Sequence, residues 1–457
     1  MKRTDLDSSF LVFTQPNERE RWALALVAVI VAALLASTLQ QTLEYGHGDA
    51  QVYFRAGWAI WAGYPLYQVS DHHGWFYVYP PPFAFLMEPF ADPLPGYANP
   101  AWALPYPLAL AAWFAVGVCA LAAATHMLAN AIARSSGFSP NATSITPFWA
   151  SRLGPPLALA VFVGSGWERG QPTTILLLLI VMFLAFLCKR RPLAASIALS
   201  VAITIKIYPA ALLLIPILRR DVRVVAYTAV SVLVFLFVFP ILAVGFHATG
   251  ELYQAFWAER LRDLVSGDFD SRIADSFSPW SITVVGFGSL LARVFATPVL
   301  EAPNRLPAWA EYSQLAFDIF IPLAIAAVGH RRFWRLRGPQ PFAPYAILTA
   351  GALLSAALPA MLTVARPHYW ALQMPLVAIL FTEGWRRTGS PRPSGAQITW
   401  VVAAAVAFIV AGPSAPGILS RLGSTTIVML LAIVAGLTAL RRLPADAFPP
   451  IERREAV

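Results

Sequence analysis

Asp49 and Lys206 carry the chemistry that stands out most from the residues around them. Asp49 lies in Gly46-His-Gly-Asp-Ala-Gln-Val-Tyr53, just past the first apolar run. A carboxylate there could take a proton from an attacking hydroxyl. The alternative is a helix cap, because Asp49 precedes the helix-like run Ala50–Trp61 and N-caps favour Asp. Lys206 stands in Lys206-Ile-Tyr-Pro209, at the centre of an apolar stretch. An ammonium in such a place needs an anionic partner or a route to water. A phosphate supplies the first, and snorkelling to the interface supplies the second. Gln171 follows Gly170 at the start of an apolar helix, where backbone N–H groups can meet a phosphate. The neighbours Glu168 and Arg169 could instead pair with each other. Arg293 and His368 are weaker signals: a lone Arg on an interfacial helix is often only solvated, and a lone His at a helix start is often structural.

Tyr53, Tyr67 and Tyr79 belong to an aromatic and proline-rich stretch that includes Gly63-Tyr-Pro-Leu-Tyr67 and Phe76-Tyr-Val-Tyr-Pro-Pro-Pro-Phe83. Such a stretch could wall a sugar or a prenyl chain, or form an aromatic belt at a membrane interface. No zinc spacing is present, so no metal site or cofactor is expected. Asp268, Asp270 and Asp275 could hold a divalent cation together with Asp49, but nothing else indicates one. No phosphate-binding loop or dinucleotide glycine pattern occurs, which argues against a nucleotide donor.

The elements that must position these residues are membrane helices. Of 457 residues, 58% are hydrophobic and 12% are charged. A soluble domain carries roughly 25% charged residues, so the bilayer is the solvent that suits this chain. Its net charge of +9 lies in short clusters between apolar runs, such as Lys189, Arg190, Arg191 and Arg219, Arg220, Arg223. Such clusters orient helices, and nucleic-acid binding is not expected. The two cysteines, Cys119 and Cys188, imply no disulfide framework.

Positive-inside charge predicts cytoplasmic termini and an all-α polytopic protein of about twelve transmembrane helices. Residues 1–21 form a cytoplasmic N-terminal segment, 22–442 a single transmembrane domain, and 443–457 a cytoplasmic tail. Outer loops are expected at 40–105 and 245–310, with 281–296 interfacial or re-entrant. Leu193–Leu218 is long enough for one span, yet basic clusters flank both its ends. A hairpin of two short helices with Lys206–Pro209 at its tip reconciles these facts, since proline breaks helices. In this topology Asp49, Glu168, Arg169, Lys206, Asp275, Arg293, Arg366 and His368 share the outer side. A mixed-charge site half in the membrane suits a substrate with an anionic head and a lipid tail.

At these residues the chain resembles glycosyltransferase family 87, which has the C-type glycosyltransferase fold and includes polyprenyl-phosphate-mannose-dependent α-mannosyltransferases and arabinofuranosyltransferases. Four stretches carry the resemblance: Gly48-Asp49 with Tyr53, Gly63–Tyr67 and Tyr79–Phe83; Gly170-Gln171; Ile205-Lys206-Ile-Tyr-Pro209; and His368-Tyr369. Two departures bear on the acceptor and the donor sugar. Pro172 stands where many members have Asn, and Asp275-Ser-Phe-Ser-Pro279 replaces an Asn-x-Ser-Leu stretch. The resemblance implies an inverting transfer of one sugar, with mannose the expected one, from a polyprenyl phosphate to a glycolipid or glycan acceptor. It places the active site on the extracytoplasmic face of the inner membrane. It assigns Asp49 as base and puts Lys206, Tyr208, His368 and Arg293 near the donor, with Gln171, Tyr53, Tyr67 and Tyr79 around the substrate. The competing function is a transporter or flippase of a lipid-linked sugar. Transporters commonly show paired broken helices, and this chain shows one broken hairpin.

Overall fold

The computed structural model describes residues 18–45, 48–136, 145–262, 287–295, 306–329, 344–362 and 366–379, and these are helical, with one isolated bridge between Ser70 and Phe76. The first helices are α1 (Glu18–Tyr45), α2 (Asp49–Ala62), α3 (Pro81–Met87), α4 (Tyr106–Ser136), α5 (Ile145–Ala158), α6 (Ala160–Glu168) and α7 (Thr173–Cys188). Next come α8 (Pro192–Ile205), α9 (Leu214–Leu218), α10 (Val222–Leu233), α11 (Phe239–Val244) and α12 (Phe246–Phe256). The remainder are α13 (Phe287–Phe295), α14 (Ala308–Gly329) and α15 (Pro344–Ala357). Among the described residues, three helical stretches are long and apolar enough to cross a membrane: Ala25–Glu44, Tyr106–Ser135 and Val222–Val244. Four shorter apolar helices accompany them, including Thr173–Cys188 and Pro192–Ile205. Two apolar runs that count toward the expected twelve helices, 397–411 and 427–440, lie outside the described residues, as do the arginine-rich run 331–337 and Asp268, Asp270 and Asp275.

The hairpin around Lys206 is built as its charges and proline require. α8 ends at Ile205, Lys206 is extended, and Tyr208–Leu213 form a 3-10 stretch that leads into α9. Side-chain bonds from α8 to α10 fix the relative direction of these two helices. Ser196 donates to the Val224 carbonyl at 2.9 Å, and Ser200 to the Thr228 carbonyl at 3.1 Å. Both partners advance together, so α8 and α10 run parallel, and 208–218 must run back between them. A 3-10 stretch rises about 2 Å per residue against 1.5 Å for an α-helix. The short return leg therefore matches the length of α8. The basic residues before α8 and before α10 consequently share one end of the bundle, and Lys206 sits at the other.

That second end is closed by a cap built from both long loop regions. Its first part is ordered by aromatic packing. Phe54 stacks on Phe90 at 5.4 Å and meets Trp113 edge-on, while Trp58 packs against Tyr64 and Tyr97. Edge-to-face and offset contacts of this kind add to burial because ring edges are positive and faces negative. Asp71 shapes the turn between Ser70 and Phe76 by accepting from the backbone N–H groups of His73 and Trp75, at 2.9 and 2.8 Å. Residues just after α12 clamp the second region onto the first. Arg260 donates to the Tyr77 carbonyl at 2.8 Å and to the Tyr67 carbonyl, and lies over the rings of Tyr67 and Phe76. The region expected as an outer loop from 245 thus opens with a helix. Further along, α13 is described over nine residues. It docks on α14 through Phe287 stacked on Phe317 at 4.4 Å and through the Gly288 N–H donating to Gln314 Oε1 at 2.8 Å.

Candidate active site

The site forms where the start of α2, the turn before α7, the hairpin tip and the 3-10 stretch Pro367–Gln373 meet. The turn before α7 and the start of α2 approach so closely that neither tolerates a side chain between them. Gly170 has φ +70, and a Cβ there would lie 2.3 Å from the Ala50 Cβ. A Cβ on Gly48 would lie 2.9 Å from the Arg169 carbonyl oxygen. Glycine meets both demands, since it adopts positive φ without steric cost and lets backbones touch. The Ala50 N–H donates to that Arg169 carbonyl at 3.2 Å, and Trp113 Nε1 donates to the Gly170 carbonyl at 2.8 Å.

This contact delivers Asp49 to Gln171. Asp49 is the first residue of α2, Gly48 is its cap residue, and no side chain caps the helix. The capping alternative for Asp49 is therefore corrected: its Oδ2 instead accepts from Gln171 Nε2 at 2.5 Å and faces Arg169 Nη1 at 4.0 Å. The expected Glu168–Arg169 pair likewise gives way to Arg169–Asp49. The Asp49 side chain keeps 19% of its surface exposed and Arg169 keeps 38%, so the site opens to solvent on this side. Burial pushes the Asp49 carboxyl above the usual carboxylate range. Arg169, then the Gln171 hydrogen bond, Lys206 and Arg366, pull the other way.

Lys206 occupies the far end of the same amide. Its Nζ donates to Gln171 Oε1 at 3.0 Å and to the Tyr369 hydroxyl at 2.8 Å, and it faces the rings of Tyr369 and Tyr79 at 4.5 and 5.0 Å. Only 6% of Lys206 is exposed, so it does not snorkel to water. An ammonium only donates, so the Tyr369 hydroxyl must accept, which leaves its own proton for a further acceptor. Lys206 likewise has a third N–H beyond these two bonds.

The remaining predicted residues divide. Tyr79 reaches the site, donating to Gln171 Oε1 at 3.4 Å and sharing a 2.8 Å hydrogen bond with Tyr53. Tyr53 itself is buried against Tyr79 and Phe83, bonds to the Tyr79 hydroxyl, and acts on Asp49 electrostatically. Tyr67 is set further back. It is buried, stacks on Phe256, and donates to the Tyr79 carbonyl at 3.0 Å, which makes it a support for Tyr79. The aromatic stretch is thus largely packed inside the cap, in place of the exposed wall or belt expected of it. Tyr208 packs edge-on against Tyr369 at 5.6 Å, with its buried hydroxyl unpartnered among the described residues. His368 is 2% exposed, and both its ring nitrogens are likewise unpartnered. The Arg293 side chain lies outside the described residues.

Arg366, one of the charges placed on the outer side, and Tyr369, from the His368-Tyr369 stretch, complete the cluster without having been assigned a role. Arg366 acts electrostatically on Asp49 and on Tyr369. The signal available for both was their position beside His368. The other carboxylates that could serve in place of Asp49 are Glu44, Asp71 and Glu168, and Glu168 ends α6 beside Arg169. Asp71 is committed to its turn, and Glu44 is exposed on α1 and accepts from Gln40 at 2.7 Å. Among the described residues no group of three or more His, Cys, Asp or Glu is placed to hold a metal ion.

Three comparisons bear on this arrangement. The sequence profile of glycosyltransferase family 87 matches residues 77–364, well over half of the chain. No curated protein sequence matches. Among solved structures, ArnT from Cupriavidus metallidurans bound to undecaprenyl phosphate aligns over 93% of this chain and 77% of its own, at 13% identity and a TM-score of 0.42. That likeness is too remote to argue from.

Proposed function

This chain belongs to glycosyltransferase family 87, and from that premise we propose that it moves one sugar, mannose, from a polyprenyl phosphate to a hydroxyl of a glycolipid or glycan. The reaction inverts the anomeric carbon and takes place on the extracytoplasmic face of the inner membrane. The chain is a single C-type glycosyltransferase domain over 22–442, of about twelve transmembrane helices, between cytoplasmic ends at 1–21 and 443–457.

One observation carries the reading. A solvent-accessible carboxylate, Asp49, and a buried cation, Lys206, are held at opposite ends of a single amide, with Arg169 and Arg366 beside them. A carboxylate whose affinity for protons is raised suits a general base. A cation with a spare N–H, next to a tyrosine with a spare O–H, suits a phosphate. In the proposed step Asp49 takes the acceptor's proton as its oxygen attacks the anomeric carbon. The new glycosidic C–O bond forms as the C–O bond to phosphate breaks on the opposite face. The electron pair leaves with the polyprenyl phosphate, which Lys206 and the Tyr369 hydroxyl stabilise and which His368 and Tyr208 face. Fixed donors of this kind cost no reorganisation at the moment of reaction. The prenyl tail lies among the apolar helices. Arg293 is assigned to the same phosphate by family resemblance alone.

The test is transfer from radiolabelled polyprenyl-phosphate mannose in reconstituted membranes, wild type against Asp49→Asn. Loss of transfer in a folded variant is expected, by about a factor of 10²–10⁴ or more for a missing base. Equal transfer in both would remove Asp49 from the chemistry. A flippase would keep moving lipid-linked sugar across the membrane in the same variant.

A further inference from the structure

Among the described residues, Gln171 is the one side chain shown hydrogen-bonded to both Asp49 and Lys206. It is 8% exposed, and its backbone is held by the Gly166 carbonyl at 2.8 Å. Its Nε2 donates to Asp49 Oδ2 at 2.5 Å. Its Oε1 accepts from Lys206 Nζ at 3.0 Å and from the Tyr79 hydroxyl at 3.4 Å. These partners leave the amide no choice of orientation. A carboxylate only accepts and an ammonium only donates, so the oxygen must face Lys206 and the NH₂ must face Asp49. A carboxamide is suited to this place because it carries an acceptor and a donor on one rigid plane. An apolar residue offers neither, and a carboxylate would set a second negative charge against Asp49.

We propose that Gln171 is a positioning residue whose amide, oriented by Lys206, holds one oxygen of Asp49 and leaves the other free to take the acceptor's proton. The inference rests on the reading of Asp49 as the base. It gives Lys206 a second task besides meeting phosphate, namely orienting the group that orients the base. It also explains why carboxylate and ammonium sit close without bonding directly: among the described residues, the ion pair Asp49 makes is with Arg169.

The experiment is the pH profile of kcat/KM for transfer from polyprenyl-phosphate mannose, using the full chain in reconstituted membranes. Profiles are taken for wild type, Gln171→Met, Lys206→Met and the double variant. An N–H bonded to the charged form of a carboxylate favours that form. Gln171→Met should therefore move the acid limb to higher pH and lower the plateau by roughly ten- to a hundredfold, the range of one hydrogen bond to a charged group. The other groups that face Asp49 remain in place: Arg169 from the turn before α7, Lys206 from the hairpin tip, Arg366 and Tyr369 beside the 3-10 stretch, and Tyr53 and Tyr79 from the cap. In the Lys206→Met background the same change at Gln171 should move the limb less, because the amide oxygen has then lost its charged donor and keeps only the longer bond from the Tyr79 hydroxyl at 3.4 Å. Gln171→Asn, one methylene shorter, should shift the limb in the same direction by a smaller amount, and it serves if Gln171→Met does not fold. An acid limb at or below the wild-type position in Gln171→Met, or in Gln171→Asn where that variant stands in, would overturn the proposal. An unreduced effect of Gln171 without Lys206 would overturn the coupling. Asp49→Asn separates the two readings: if it retains transfer, the base assignment fails. If it is inactive while the limb of the Gln171 variant is unmoved, only the positioning role fails.

Discussion

Replacing Lys206 with methionine removes one charge and little volume, which makes it a sharp test of the phosphate site. The methionine stem fills nearly the same space beneath the rings of Tyr79 and Tyr369. Two hydrogen bonds vanish, one to Gln171 Oε1 at 3.0 Å and one to the Tyr369 hydroxyl at 2.8 Å. Hydrogen bonds to charged groups are each worth about 1.5–3 kcal/mol. Against that loss stands the relief of a buried ammonium, and replacing buried charges by apolar groups of similar size is often neutral or stabilising. The partners are not left stranded, because Gln171 Oε1 retains the Tyr79 hydroxyl and Tyr369 can turn its own. The folded state should thus survive, with a thermal midpoint in detergent close to wild type. Transfer should not. Losing one preorganised donor at a developing anion costs about 10²–10³ in rate, or roughly 2.7–4 kcal/mol of barrier. Single-turnover assays with polyprenyl-phosphate mannose would separate the chemical step from donor binding, and the fall should appear mainly in the chemical step. Lys206→Met with single-turnover rates within about fivefold of wild type, when 10²–10³ is expected, would refute the assignment of the leaving phosphate to this lysine.

The same geometry has consequences at Asp49, Gly170 and Tyr369. Asp49 must be charged to act as base, and burial raises its proton affinity. The acid limb of kcat/KM should therefore lie above the ordinary aspartate value of about 3.9, and Arg169→Ala, which removes the largest opposing influence, should move it higher still; a limb below that value would contradict the burial argument. A carboxyl with a raised folded-state pKa contributes stability at low pH that disappears as pH rises through that value, so Asp49→Asn should melt no lower than wild type at pH 7, as differential scanning fluorimetry would report. Gly170→Ala should lower the thermal midpoint and abolish transfer, because its Cβ would sit 2.3 Å from the Ala50 Cβ at φ +70; overpacking of this kind costs about 1–3 kcal/mol before the strain at positive φ is added, and an unchanged melting curve would show that the two loops do not meet. Tyr369→Phe removes the hydroxyl that accepts from Lys206 at 2.8 Å and should slow the chemical step by roughly tenfold or more, whereas a rate equal to wild type would exclude its hydroxyl from the phosphate site.

The amino-acid sequence alone pointed to the bilayer as solvent and to the hairpin at 193–218. Apolar runs broken by basic clusters are a one-dimensional signal, because insertion into a bilayer depends on local hydrophobicity and on charge at helix ends. Residues 193–218 show how far that reaches: two basic clusters and a Lys-x-Tyr-Pro break imply a hairpin, and the parallel bonding of α8 to α10 agrees. That Asp49 does not cap α2 could not be read in this way. Capping preference is a property of neighbouring residues, whereas the group that claims the carboxylate is Gln171, 122 positions away. The same limit hid Tyr369, whose hydroxyl matters only because Lys206, 163 positions earlier, arrives beside it. It also led Tyr53 and Tyr67 to be read as lining a substrate, since an aromatic stretch looks the same in sequence whether it faces a ligand or packs on itself. Tertiary structure decided these points because hydrogen bonds and burial depend on which surfaces the chain brings together. Here that depended on Gly48 and Gly170, two residues without side chains, whose absence of bulk lets Asp49 meet the Gln171 amide.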